Sequence, residues 1–184
     1  MTSPDTRLHV EVKTIAALSR WLSKNHHTTD SVWLVTYKKA SPHHIPWGDV
    51  VAELIAWGWI DSSVRGIDDL RFKHLISPRK PTSAWSKVNK DLVKRLRAEG
   101  RMHPSGEAKI AAAQKNGMWT FLDDVERLVV PDDLAAALGP NRSGFDTLSR
   151  SVKRGLLEQL KRAKTQPTRQ KRIAACVEAA KSQG

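Results

Sequence analysis

The chain has 184 residues, 40% of them hydrophobic and 27% charged, with a formal net charge of +12. That length buries one good core, or one domain with a helical extension, and the composition is ordinary for a globular protein. No apolar run reaches the roughly 18 residues of a membrane span, and the lone Cys176 leaves neither an internal disulfide nor a cysteine metal site.

The opening Met1-Thr2-Ser3-Pro4-Asp5 lacks the basic start and apolar segment of a secretion signal, so a reducing, cytoplasmic location is expected. A short strand is allowed at 8–12. Residues 14–25 carry Ile15, Leu18, Trp21 and Leu22 at helical spacing, and 31–37 are β-branched and aromatic, which predicts a strand. A loop with His43 and His44 follows, then a helix ending near Trp57 on a stripe of Val50 or Val51, Leu54 and Ile55. Strands at 59–64 and 70–76 flank Gly66-Ile67-Asp68-Asp69, a hairpin turn by composition. Beyond Pro78 and Pro81 the pattern turns helical. Ser83 is placed to cap a helix running to Glu99, Pro104 to open the next, and Pro131 a short one. Two longer helices, from Phe145 or Leu148 to Lys164 and from Gln166 to Lys181, close the chain. The expected fold class is α+β: a small antiparallel sheet of three or four strands with helices, followed by a mostly helical C-terminal half. The expected division is 1–100 for the α+β unit and 101–184 for the helical region.

The charge is uneven. Residues 71–101 hold ten Lys/Arg against two Asp/Glu, and residues 141–184 hold eleven against three. Such blocks attract anionic partners or form solvated helix faces. A nucleic-acid-binding protein would use Lys87, Lys90, Lys94, Arg154, Lys161, Arg169, Lys171 and Arg172 to neutralise phosphates. No helix-turn-helix, zinc-finger or RNA-recognition signature accompanies them.

Two segments mix indoles with charged and amide side chains: Gly58-Trp59-Ile60-Asp61-Ser62, and residues 78–89 with Arg79, Lys80, Trp85 and Asn89. Simple strand alternation puts Trp59, Asp61, Ser63 and Arg65 on one face. They would floor a pocket roofed by 78–89. Arg79 and Lys80 would hold an anionic group, Asp61 would accept from a donor, and Trp59 or Trp85 would stack on a flat moiety. The structural alternative pairs Asp61 with Arg65, Arg79 or Lys87. Of the seven tryptophans, Trp21, Trp33, Trp47 and Trp57 read as core. Nucleophile elbows, phosphate loops and dinucleotide fingerprints are missing, and Cys176 reads as a core residue. The adjacent pairs His26-His27 and His43-His44 do not converge on one face, so no metal is expected.

These two segments, with Trp33-Leu34, Lys38-Lys39, Glu99-Gly100-Arg101-Met102, Ala163-Lys164 and Thr168-Arg169-Lys171-Arg172-Ile173, resemble the bacterial YdeI or OmpD-associated family of bacteriocin-protection proteins. The resemblance spans nearly the whole chain. It implies a cytoplasmic stress-tolerance protein, with no cofactor and no defined reaction. The favoured expectation is binding of a small anionic ligand through Trp59, Asp61, Arg65, Arg79, Lys80, Trp85 and Asn89, or contact with an acidic protein surface. Open alternatives are nucleic-acid binding by the basic helices and a small enzyme with Asp61 as acid or base.

Overall fold

A computed structural model describes residues 6–28 and 30–182; the N-terminal pentapeptide considered above lies outside them. The chain forms two compact units that divide after Thr120.

The N-terminal unit is built on β1 (His9–Glu11), β2 (Val32–Tyr37), β3 (Trp59–Gly66) and β4 (Arg71–Pro78), in the order β1-β2-β4-β3. β4 pairs antiparallel with both β2 and β3, while β1 runs parallel to β2, so the sheet is mixed. The parallel step follows from α1 (Ile15–Asn25), which carries the chain from β1 back to the start of β2. Thr14 caps α1 by accepting from the Ala17 N–H, and its buried Leu18 and Leu22 lie where the periodicity put them.

Helix α2 (Trp47–Ala56) is buried on two sides. Val50 and Leu54 join Leu18, Leu22, Leu34, Trp59 and Ile76 in one core. Ala52, Ile55 and Ala56 join Trp85, Val93, Leu96, Ile110 and Ala113 in a second, shared with α3 (Lys87–Ala98) and α4 (Pro104–Lys115). A boundary at residue 100 would have cut this second core. The close approach is set by Gly106, where a Cβ would stand 2.3 Å from the Ala56 carbonyl oxygen. That carbonyl also accepts from the His103 N–H at 3.1 Å.

Helix α3 starts later than the sequence suggested. Ser86, not Ser83, supplies the cap, accepting from the Asn89 N–H, while the Ser83 N–H closes a turn onto the Lys80 carbonyl. The residues released from the helix join the turn after β4 in one loop, 79–86, with Arg79 at its start and Trp85 near its end.

The C-terminal unit contains α5 (Asp123–Glu126), α6 (Asp132–Leu138), α7 (Arg142–Thr147), α8 (Arg150–Lys161) and α9 (Gln166–Lys181). Its core holds Leu134, Leu138, Phe145, Leu157, Leu160, Cys176 and Ala180. Burial raises the Cys176 thiol pKa, in keeping with a packing role. None of the described helices is long and apolar enough to cross a membrane.

Gly106→Ala should therefore destabilise the N-terminal unit by roughly 1–3 kcal/mol or more, since the clash is with backbone that no rotamer can relieve. Urea unfolding measures it; a variant as stable as the parent would show that α2 and α4 can separate freely.

Candidate functional site

The hairpin does not alternate simply. Asp61 lies opposite Ile76 but Val64 lies opposite His74, so β3 spends one extra residue in a bulge between them. Directly opposed residues share a face. Trp59, Asp61 and Val64 thus share a sheet face with Ile76, His74 and Leu34, whereas Arg65 has crossed to the other face with Lys73 and Trp33. There the Arg65 guanidinium and the Lys73 ammonium sit over the Trp33 ring, at 5.1 and 4.7 Å from its centroid. The expectation that Arg65 shares a face with Trp59 and Asp61 is corrected by this bulge.

Trp59 is 1% exposed, packs edge-on against Trp21 at 5.5 Å and donates its indole N–H to the His26 carbonyl. Asn89 accepts from the Ser86 hydroxyl as part of the α3 cap. Both are fully accounted for by packing and capping. Lys80 is exposed in the turn after β4.

Arg79 and Trp85 differ. Arg79 is 2% exposed and Trp85 1%, and the guanidinium carbon lies over the indole, 3.9 Å from its centroid. The Arg79 N–H extends the β3–β4 pairing by donating to the Gly58 carbonyl at 2.9 Å, which fixes where the side chain starts. Its Nη1 donates to the Ala84 carbonyl at 3.0 Å. Among the described residues, Arg79 Nε, Arg79 Nη2 and Trp85 Nε1 are buried donors without an acceptor. Desolvation pushes the guanidinium pKa down to about 10, against a smaller pull upward from the Asp61 charge, so Arg79 remains a cation at neutral pH. Asp61 itself is half-buried, and no hydrogen bond or ion pair joins its carboxylate to a described residue. Of the two other cations named for it, Arg65 lies on the opposite face over Trp33 and Lys87 pairs with Asp91 at 2.5 Å.

A second polar cluster was not legible in the sequence. Glu53, buried on α2, accepts from Trp57 Nε1 at 2.9 Å and from Arg101 Nη2 at 3.2 Å. The His103 ring stacks on Trp57 at 4.1 Å and meets His26 at 4.8 Å. His103 also caps α4, its Nδ1 accepting from the Ser105 N–H. Desolvation, then the His26 charge, lower the His103 pKa. His74, stacked on Trp47, is lowered by burial, with Asp61 opposing. Histidine positions far apart in sequence meet here only through the packing of α1, α2 and α4. No group of three or more His, Cys, Asp or Glu among the described residues could hold a metal ion.

The basic residues are largely engaged with neighbours. Arg154 lies between Glu126 and Glu158, Lys161 bonds Asp124, Arg169 clasps Asp133, and Arg172 donates to the Gln159 carbonyl. The Lys90 ammonium sits 5.4 Å from the Trp119 ring centroid, while Lys94 and Lys171 are exposed.

Two families match the chain. Residues 10–109 match the one described as Domain of unknown function (DUF8412), and residues 127–183 the one described as Bacteriocin-protection, YdeI or OmpD-Associated. No curated protein and no solved structure matches it.

Two outcomes follow from the geometry. Asp61→Asn should change stability little, since no bonded cation loses its partner, and urea unfolding should show far less than the roughly 3–5 kcal/mol of a broken buried pair. Stability should also fall with acidification. His103 and His74 have folded-state pKa values below their ordinary 6.5, so the unfolded chain takes up protons first and stability is lost as pH drops from about 6.5 through those lowered values. Melting temperatures across pH 7.5 to 5 test this, and His103→Asn, which keeps a capping acceptor, should flatten the slope.

Proposed function

For a chain that belongs to the family of unknown function spanning residues 10–109 and carries a YdeI or OmpD-associated domain at 127–183, we propose a binding role in which the N-terminal unit holds a small oxyanion at Arg79. The observation that carries this reading is the buried, stacked guanidinium whose Nε and Nη2 have no acceptor among the described residues. A buried donor without a partner costs about 1–3 kcal/mol, more when charged, so a fold keeps such a group where something else requires it. Nε and Nη2 form the side edge of the guanidinium, the fork that takes two oxygens of one anion. Trp85 Nε1 supplies a further unused donor from the ring beneath it.

Within this reading Arg79 is the anchor, Trp85 is both platform and donor, and Lys80 adds positive charge at the exposed turn. Asp61 tunes the field. Binding is favoured over turnover because the free groups of Arg79 and Trp85 are donors, and among the described residues no nucleophilic side chain is bonded to either. The nucleic-acid reading is weaker, since Arg154, Lys161 and Arg169 are already bonded to carboxylates. We assign the binding to tolerance of envelope stress, a role that the words bacteriocin protection in the description of the C-terminal family favour, and we place it in the cytoplasm as part of the same proposal.

Arg79→Met tests this directly. Replacing an unpaired buried cation by an apolar side chain of similar length should leave stability unchanged or raise it by up to about 4 kcal/mol in urea unfolding. In a thermal-shift panel of acetate, benzoate, sulfate and phosphate, at ionic strength matched with chloride, at least one anion should stabilise the parent and not the variant. A variant losing several kcal/mol, with no anion stabilising the parent, would make Arg79 a structural residue.

A further inference from the structure

The anion that a guanidinium prefers depends on how its edge is presented and on the charges around it. The free edge of Arg79 is Nε with Nη2. The same edge is filled elsewhere in this chain, each time by a carboxylate. Arg97 Nε and Nη2 hold the two oxygens of Glu107 at 2.8 and 2.6 Å, and Arg169 Nε and Nη2 hold those of Asp133 at 2.5 and 2.8 Å. At Arg79 the local charge balance is narrow. It is one buried cation, its Nη1 is taken by the Ala84 carbonyl, and Asp61 stands on β3 three residues along from Gly58, whose carbonyl takes the Arg79 N–H, so that its carboxylate acts on the guanidinium from the neighbouring strand. Lys80, the next residue, is exposed and so contributes a screened charge.

A single negative charge neutralises that cation. A phosphate or phosphomonoester dianion would bring a second charge into a desolvated site that already feels a carboxylate, which is the costly arrangement of like charges. We propose that Arg79 and Trp85 together form a site for a monoanionic carboxylate, and that Asp61 is the specificity residue that turns phosphate away. The carboxylate accepts two parallel bonds from Arg79 Nε and Nη2 and a third from Trp85 Nε1. Arg79 and Trp85 are separated in sequence by the turn at 80–83, held by the Ser83-to-Lys80 backbone bond, and at 2% exposure of Arg79 ligand entry needs that turn to shift. The proposal rests on Arg79 being an anion site at all.

The indole N–H of Trp85 is the readout, because an N–H without an acceptor moves downfield when it gains one. Nitrogen-15-labelled full-length chain, with the Trp85 indole resonance assigned by its loss in Trp85→Phe, is titrated with acetate and separately with inorganic phosphate. The titrations are made at pH 8, where phosphate is a dianion, and balanced with chloride. Acetate should move the Trp85 resonance in the parent and not in Arg79→Met, and phosphate should leave it in place. Asp61→Asn should admit phosphate and tighten acetate by about threefold to tenfold, the scale of one neighbouring charge. Phosphate moving the parent resonance as strongly as acetate would overturn the carboxylate assignment while leaving an anion site. An Asp61→Asn variant that still ignores phosphate would overturn the role of Asp61. An acetate response that survives Arg79→Met, or no response to either anion, would overturn the site itself.

Discussion

The N-terminal unit depends on a helix that has no solvent side to spare. α2 places Val50 and Leu54 in the core under the sheet and Ala52, Ile55 and Ala56 in the core shared with α3 and α4. Burying apolar area on both flanks contributes far more than helix propensity could in a ten-residue segment. It also sets a spacing requirement. The second flank is lined by small residues so that α4 can approach, and Gly106 meets the Ala56 carbonyl where no Cβ fits. His103 and Ser105 then use the C-terminal end of α2 as an acceptor surface, bonding the Ala56 and Trp57 carbonyls.

Arg79 sits where the chain leaves the sheet and enters that second core. The backbone of Arg79 still belongs to the hairpin through its bond to Gly58, while its side chain already lies on Trp85, a member of the α2–α3–α4 core. The stacking offsets part of the desolvation of the guanidinium, and the bond to Ala84 offsets more, but two donors are left over. By contrast the buried Glu53 is fully provided for, with Trp57 and Arg101 both donating to it. One polar group is satisfied within the fold and the other is not, and this contrast singles out Arg79 as the functional candidate.

The net charge of +12 looks different once the partners are known. Arg154, Lys161 and Arg169 tie α8 and α9 to the acidic starts of α5 and α6 through Glu126, Asp124 and Asp133. Single exposed pairs of this kind are worth only about 0–1 kcal/mol each, but they orient short helices whose own propensity is weak. The basic character of these helices is in large part the complement of an acidic stretch that precedes them, so a count of lysines and arginines along the sequence overstated the free positive surface.

What the sequence determined by itself is what periodicity and local chemistry encode. Helix α1 with its Leu18 and Leu22 stripe, strand β2, the β3–β4 hairpin with its Gly and Asp turn, and the helical C-terminal half were all legible, because each depends on residues within a few positions of one another. Arg79 and Trp85 were also legible as unusual, from charge and indole placed side by side. Tertiary structure decided the rest. The bulge after Asp61 moved Arg65 to the opposite face, since its register is set by pairing with β4 rather than by β3 itself. Trp59 was drawn into the core by Trp21 and His26, and the cap of α3 passed from Ser83 to Ser86, with the Trp85 backbone N–H outside the helix and donating to the Met118 carbonyl. The meeting of His26, Trp57 and His103 joins three elements that share no local signal. Alternation and spacing are properties of a single segment, whereas which donor is left without an acceptor depends on every segment packed around it.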